Sequence, residues 1–498
     1  MIGIQFNKKD YEYDIYSLVQ AFYPGEELRI CYEEEQQECG YDKMIRIVYG
    51  DKDVNITILE SGQCFLQEVI ALDYADRKTA KSDLKRMVYR VLSNYTKKTL
   101  PWGNLTGIRP VKLVMSLIEN GMPDTKAVGY MQEVYDCSKE KADLSIAIAN
   151  REREILKDID YRRGYSLYVG IPFCPSICLY CSFSSSPYEK WKNVVDPYLD
   201  ACCRELDFIS QAMDGYTLDT VYIGGGTPTT LDSKQMVRLL SHIQKRFAMD
   251  QIKEFTIEAG RPDSITEKKL QVIKGFPVTR ISVNPQTMNQ KTLDVIGRKH
   301  TVEDTMDAFY MAREAGFDNI NMDIIVGLPG ESKEDVSYTL EKIKGLNPDS
   351  LTAHSLAVKR ASRLKLLQEE YKEIAFENSQ ETMDMVMKCA MECDMSPYYL
   401  YRQKNMAGNL ENIGYAKLDK AGRYNILIME EKQPILAAGA GGATKLVNRS
   451  EQRIMRIENV KDITNYITRI DEMIERKRIG IETWRQEGRP NGKCTNNE

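Results

Sequence analysis

The chain lacks any apolar run approaching the roughly 20 residues of a membrane-spanning helix, and its first residues, Met1-Ile-Gly-Ile-Gln-Phe-Asn-Lys-Lys, lack the apolar core of a signal peptide. It also lacks an excess of positive charge. Lys and Arg number 68 against 73 Asp and Glu, a net charge of -5, so nothing draws it generally to nucleic acid. Histidine is scarce, with only His242, His300 and His354. Twelve cysteines in 498 residues are too few for a disulfide framework, and a reducing compartment suits free thiols. These absences predict a cytoplasmic protein with no membrane span and no nucleic-acid partner; a monomer is expected, although nothing in the sequence determines the oligomeric state. The length allows about three domains, and 28% charged with 42% apolar residues is ordinary globular composition.

What the chain does have is a local concentration of cysteine. Three fall within Tyr168-Val-Gly-Ile-Pro-Phe-Cys-Pro-Ser-Ile-Cys-Leu-Tyr-Cys181, spaced C-x3-C-x2-C. Three close thiolates suit a metal site and leave one coordination position for something other than protein. A zinc site or a chance cluster of core thiols is the plainer alternative, but no histidine lies near enough in sequence to complete a zinc set. An apolar strand pattern over 166–173 leads directly into these cysteines. Cys202, Cys203, Cys389 and Cys393 lie in helical patterns, as packed core thiols do, and predict no second cluster.

From about 165 to 360 strands and helices alternate, as parallel strands with crossover helices require. Strands are predicted near 166–172, 219–224, 253–259, 279–284, 319–326 and 350–357, with helices over 196–213, 232–247 and 332–345. Six such units fit a partial barrel, whose chemistry collects at the C-terminal ends of the strands. The second strand ends in Gly224-Gly-Gly-Thr-Pro228, glycines that let backbone approach a ligand closely. Asp323 stands in the apolar run Asn321-Met-Asp-Ile-Ile-Val-Gly-Leu-Pro329, where a buried carboxylate needs a partner, protein or ligand.

With Tyr180 just before the last cysteine and Tyr168-x-x-x-Pro-Phe-Cys ahead of the first, Cys174, Cys178 and Cys181 resemble the signature of radical SAM enzymes. More narrowly, the chain resembles the oxygen-independent coproporphyrinogen III oxidase (coproporphyrinogen dehydrogenase) family, and the stretch Leu100-Pro-Trp-Gly-Asn-Leu-Thr-Gly-Ile-Arg-Pro-Val-Lys112 resembles its HemZ-like branch. The resemblance implies that the three cysteines hold one 4Fe-4S cluster and that S-adenosyl-L-methionine binds the fourth iron, two molecules being used in all. It implies that Tyr168, Gly224, Gly225, Gly226, Thr227, Glu258, Gln286, Arg298 and Asp323 contact this cofactor, with Tyr180 on its adenine. Tyr168 is also assigned to the chemistry. One position departs from the family: Gly170 stands where many members have histidine, so a role given to that histidine does not carry over.

The expected organisation is an N-terminal α+β extension (1–160), a partial (β/α)6 barrel (161–360), an α+β substrate-covering domain (361–485) and a disordered polar tail (486–498). In the extension, a hairpin is predicted around Gly50-Asp-Lys-Asp and helices near 75–98, 110–120 and 138–158. Arg77, Lys78, Lys81, Lys85, Arg86 and Arg90 make one helix basic, either as a solvated face or as a site for a carboxylate-rich or RNA ligand. Overall the first 150 residues carry 19 basic and 23 acidic side chains, against an RNA footprint. In the last domain helices are expected over 376–394 and 459–477. Within Pro397–Tyr415, the side chains of Tyr399, Tyr401, Arg402 and Gln403 are candidate contacts for substrate, Arg402 for a carboxylate, or else an ordinary strand with one polar face.

The function implied is oxidative decarboxylation of two propionates of coproporphyrinogen III to vinyl groups, giving protoporphyrinogen IX. A one-electron donor such as flavodoxin or ferredoxin is then a partner. The alternatives are a haem chaperone on the same barrel, or a radical enzyme that methylates or opens haem.

Overall fold

A computed structural model of the chain describes residues 1–33, 41–107, 109–357, 363–366, 378–403, 410–448 and 453–487. It divides into two compact units. One comprises Met1–Asn150, Asn378–Gln380 and Leu400–Asn412, the other Arg151–Glu377, Glu381–Tyr399 and Ile413–Glu498.

The first unit is built on a five-stranded sheet ordered β2-β1-β3-β4-β5, with β1 Ile2–Phe6, β2 Leu28–Tyr32, β3 Lys43–Tyr49, β4 Asp53–Glu60 and β5 Gln63–Ala71. The hairpin expected around residue 50 joins β3 to β4: Tyr49 pairs with Val54, and Gly50 N–H donates to Asp53 O at 3.0 Å. Strands β1, β2 and β5 were not anticipated. Six of the nine residues of β5 are exposed and none is fully buried, so its apolar signal is weak. Helices Glu12–Phe22 and Arg77–Thr96 share a core with the sheet that includes Phe6, Leu18, Phe22, Ile45, Ile56, Leu84 and Val88. Each such burial contributes about 1.5–3 kcal/mol. The second of these helices starts where Asp76 accepts from Thr79 N–H at 2.8 Å. Its basic face is largely paired within the protein: Arg77 with Asp10, Lys81 with Asp14, Arg86 with Asp83 and Arg90 with Asp136. This supports the solvated-face reading over a ligand site. Helices Pro110–Glu119 and Lys139–Ile155 lie where expected, and Asp124–Tyr135 is an additional one.

The second unit carries an eleven-stranded sheet ordered β14-β15-β13-β12-β11-β10-β9-β6-β16-β17-β18. Six strands follow in chain order with every pairing parallel: β6 Gly164–Ile171, β9 Thr217–Gly225, β10 Glu254–Gly260, β11 Arg280–Val283, β12 Ile320–Val326 and β13 Ser350–Ser355. Crossover helices Val195–Ala212, Ser233–Arg246, Glu267–Lys274, Val302–Glu314 and Lys333–Leu346 connect them. This is the six-unit parallel array that the strand rhythm predicts. The sheet does not close, because β14 (Ser396–Tyr401) and β18 (Arg453–Glu458) end it on either side. Between them and the six, β15 (Asn412–Ala416) runs antiparallel to β13, β16 (Ile435–Ala438) parallel to β6, and β17 (Ala443–Asn448) antiparallel to β16. A two-residue ladder between β7 (Phe173–Cys174) and β8 (Ser186–Pro187) closes the loop that holds the cysteines.

Helix Gln380–Glu392 lies within the span expected from the sequence. The helix expected over 459–477 instead starts after Asp462, which caps Ile463–Thr468 by accepting from Asn465 N–H at 2.8 Å, and a second helix runs from Ile470 to Glu487. Cys202, Cys203 and Cys389 are buried on helices, and Cys393 is buried in the turn that follows Gln380–Glu392. The tail expected from residue 486 lies almost wholly outside the described residues, as do residues 404–409 of the candidate substrate stretch.

Candidate functional site

Parallel strands buried on both faces should be apolar throughout, and the exceptions locate the site. In β6, β10, β12 and β13 a single residue is half-buried while every other is buried: Tyr168, Glu258, Asp323 and His354. In β9 Tyr222 interrupts a buried run in the same way. Five strands thus each leave one polar side chain half-exposed.

These side chains are tied together. Tyr222 OH donates to Glu258 Oε1, and His354 Nε2 lies 3.8 Å from Asp323 Oδ2. Asn321 fixes Asp323, donating Nδ2–H to Oδ1 at 2.6 Å. Its own amide oxygen accepts from Ser350 at 3.0 Å and Thr352 at 3.2 Å. Burial, with the nearby charge of Asp323, pushes the Glu258 carboxyl up to about 7 despite the hydrogen bond from Tyr222. Asp323 goes the other way: burial raises it, but His354 and Asn321 outweigh that and hold it below the usual carboxylate range. Two neighbouring carboxylates are thereby set in opposite directions. The Tyr222 ring stacks on Tyr424 at 4.5 Å, and Tyr168 lies 6.3 Å from Tyr222. Tyr424 comes from the short helix Arg423–Glu430 and is itself buried.

The glycine run joins these side chains to the cysteine loop. Gly225 has φ +102°, and a Cβ there would lie 2.9 Å from Tyr168 OH. At Gly226 a Cβ would stand 2.7 Å from the carbonyl oxygens of both Ile171 and Phe173, so only glycine lets the two backbones meet. Gly226 N–H and Thr227 N–H donate at 2.7 Å to those same two carbonyls. The Thr227 hydroxyl then donates to Cys174 Sγ at 3.5 Å.

Of the three thiols, Cys178 is buried and Cys174 and Cys181 half-buried. Burial raises the Cys178 thiol, yet Arg298 and Arg261 outweigh it and bring it below its ordinary value. Burial pushes Cys174 up to about 11 and raises Cys181. Arg298 is buried, with its guanidinium on Asn284 O. Tyr180 is half-buried in the same loop. Gln286 has φ +68°, rare for a side-chain-bearing residue, and is held by N–H to Asp323 O at 3.0 Å and by Ile325 N–H to its own carbonyl at 2.9 Å. Such backbone costs about 1–3 kcal/mol and is retained where the surroundings demand it.

Arg298, which follows the short helix Gln290–Val295, reaches back to Asn284 O; every other residue singled out in the barrel from sequence lies at a strand end, in the ring or in the loop. Arg402 does not. It belongs with the first unit, 3% exposed, its guanidinium over the Trp102 ring and donating to Leu105 O at 2.5 Å. Tyr399 is buried against Tyr398, and Tyr401 and Gln403 are half-buried. Sequence reasoning passed over Tyr222, His354, Tyr424 and Arg261. A signal existed for His354, the one titratable residue in the predicted strand Ser350-Leu-Thr-Ala-His-Ser355; Tyr222 reads as an ordinary strand residue.

The residues fit an iron-sulfur cluster. Thiolates are its usual ligands, one loop supplies three, and Thr227 and Arg261 direct hydrogen-bond donors at two of the sulfurs. Among the described residues no three His, Cys, Asp or Glu side chains converge on one point, as ligands of a single metal ion must. A cubane takes one thiolate per iron and holds its ligands further apart.

Residues 168–343 match the radical SAM superfamily model. The chain is 38% identical over 405 residues, 80% of this chain and 81% of the relative, to the oxygen-independent coproporphyrinogen-III oxidase-like protein HemZ of Bacillus subtilis. The chain belongs to this radical SAM family, in its HemZ-like branch. The haem chaperone HemW of Bacillus subtilis is 35% identical over 39% of this chain and half of that protein. The oxygen-independent coproporphyrinogen III oxidase of Escherichia coli is 25% identical over 62% of this chain and 66% of that protein. A solved structure of Escherichia coli coproporphyrinogen III oxidase superposes with TM-score 0.50 at 22% identity, covering 63% of this chain and 70% of that one, a likeness of fold. Membership in the superfamily implies a 4Fe-4S cluster and S-adenosyl-L-methionine. No helix among the described residues is long and apolar enough to cross a membrane.

Proposed function

We propose that this protein is an anaerobic coproporphyrinogen III dehydrogenase. The observation that carries the reading is the ring of half-buried Tyr168, Tyr222, Glu258, Asp323 and His354 beside the cysteine loop, in a chain whose likeness to an oxygen-independent coproporphyrinogen-III oxidase-like protein spans four fifths of its length. When bound, the cluster and S-adenosyl-L-methionine supply a carbon radical strong enough to take hydrogen from an alkyl carbon.

Cys174, Cys178 and Cys181 hold the cluster. Glu258, its carboxyl balanced near neutrality, and the backbone of Gly224–Thr227 receive the cofactor's amino group. Asp323, kept ionised, takes a sugar hydroxyl, while Gln286 and Arg298 fix polar atoms of the same ligand. Tyr180 packs on the adenine and Tyr168 closes the space between cofactor and substrate. Rigid strand ends hold these groups to the tolerance that hydrogen abstraction demands. The substrate loses a hydrogen atom from the β-carbon of a propionate, then carbon dioxide and one electron, which passes to an external one-electron acceptor, leaving a vinyl group. Two propionates react in turn, using two molecules of S-adenosyl-L-methionine and a one-electron donor of the flavodoxin or ferredoxin class. The division of labour is an N-terminal extension to about 160, a catalytic barrel to about 360 and a substrate-covering part beyond it.

Reduced, reconstituted protein given S-adenosyl-L-methionine and coproporphyrinogen III under strict anaerobiosis should release carbon dioxide and form protoporphyrinogen IX and 5'-deoxyadenosine. Tight haem binding with no turnover, with a competent donor and acceptor present, would replace this reading with that of a haem chaperone.

A further inference from the structure

Strand β10 does not end cleanly. Its register with β11 shifts between Glu258 and Gly260, and Gly260 adopts φ +44°, a bulge of the kind that re-aims the next side chain. That side chain is Arg261, 3% exposed. Its guanidinium forms a two-point pair with Asp263, Nε to Oδ1 at 2.9 Å and Nη2 to Oδ2 at 2.6 Å. The remaining nitrogen, Nη1, reaches the cysteine loop and donates to Ser176 Oγ at 3.1 Å, Ser176 O at 3.3 Å and Cys178 Sγ at 3.6 Å. Ser176 in turn donates to Gly297 O at 3.0 Å. One buried cation thus spans the end of β10 and the segment between the first two cysteines.

We propose that Arg261, locked by Asp263, is a positioning residue that fixes the Cys174–Cys178 segment and sets the reduction potential of the cluster it holds. The proposal rests on the cysteines being cluster ligands and not on the identity of the substrate. A forked guanidinium clamped at two nitrogens keeps its third at a set distance from sulfur, which an ammonium on a flexible stem cannot do. A fixed positive charge and an N–H donor at a ligating sulfur stabilise the more negative, reduced cluster, and so raise its potential. The carboxylate of Asp263 offsets part of that charge.

The test uses the full chain, reconstituted anaerobically, as parent, Arg261→Lys, Arg261→Gln and Asp263→Asn. Iron and sulfide are measured per folded protein, and the midpoint potential is read by EPR at poised potentials. Arg261→Gln should lower the midpoint by at least a tenfold change in the one-electron equilibrium, 59 mV. Arg261→Lys, which keeps the charge and loses the fork, should fall between it and the parent. Asp263→Asn, which removes the offsetting negative charge, should shift it upward. A role confined to folding would not produce shifts of opposite sign at two partners in one ion pair. If Arg261→Gln fails to fold, the intermediate shift of Arg261→Lys carries the test. Variants with the parent's iron content and midpoint would overturn the proposal, whereas a parent that takes up no iron would overturn the cluster reading instead.

Discussion

The two units bury charge in different ways. In the first, Glu411 accepts from Lys141 Nζ at 2.5 Å and from Trp102 Nε1 at 2.8 Å, and all three side chains are buried. The second contains a similar knot, in which Lys477 Nζ donates to Glu205 at 2.5 Å and to Asn459 at 2.6 Å, and Tyr466 donates to Glu205 at 2.5 Å. But the second unit also has five strands that each hold one polar side chain half-open on an otherwise closed surface. A buried charge closed on its partners holds a fold together, and a charge left half-open waits for a ligand. Degree of closure, rather than burial, separates scaffold from site.

The most complete break of this contrast is at the cysteines. Replacing Cys174, Cys178 or Cys181 by Ser should abolish the about four irons of a reconstituted cubane and its broad visible absorbance, while circular dichroism stays that of the parent; zinc in the parent, with no cluster after reconstitution, would defeat the reading. Next comes the closed knot of the first unit. Glu411→Ala leaves Lys141 as an uncompensated buried charge and should cost about 3–5 kcal/mol in denaturant unfolding, with iron per folded protein unchanged. At the open ring the signature reverses: Asp323→Ala and Glu258→Ala should weaken S-adenosyl-L-methionine binding about 10–100-fold, the value of a charged hydrogen bond, by calorimetry on clustered protein. Unchanged affinity in both would mean the cofactor lies elsewhere.

A subtler effect sharpens the same distinction through pH. Glu258 has its folded pKa raised to about 7 from an ordinary 4.5, so its contribution to stability is fully present below about 4.5 and is lost as pH rises through about 7. Without bound cofactor, Glu258→Gln should therefore be more stable than the parent by about 1–3 kcal/mol at pH 8, with the gap closing towards pH 5 in thermal melts. Cofactor affinity should carry the opposite slope, since the cofactor's amino group needs the ionised carboxylate. Binding should fall as pH drops below about 7 in the parent and stay flat in the variant. The smallest effect belongs to the solvated helix face: Arg77→Ala removes one exposed pair with Asp10 and should change stability by less than about 0.5 kcal/mol.

The parallel-stranded half was legible in outline from local pattern alone. Strict alternation of strand and helix over some 200 residues admits little besides a parallel array, and the spacing of Cys174, Cys178 and Cys181, the glycines of 224–226 and the lone Asp323 are local patterns whose chemistry is legible without contacts. The rest depends on contacts between residues distant in the chain. Tyr222 and His354 look ordinary in one dimension and join the site because parallel register brings strands distant in sequence into one ring. Arg261 depends on a bulge and a positive φ at Gly260, and no local periodicity announces either. Arg402 reads in the sequence as a candidate contact for a substrate carboxylate or as part of an ordinary strand, and in the structure Leu400–Asn412 groups with the first unit and its guanidinium lies over Trp102. Long-range pairings of this kind are set by the free energy of packing residues some 300 apart in the chain, which local propensity does not contain.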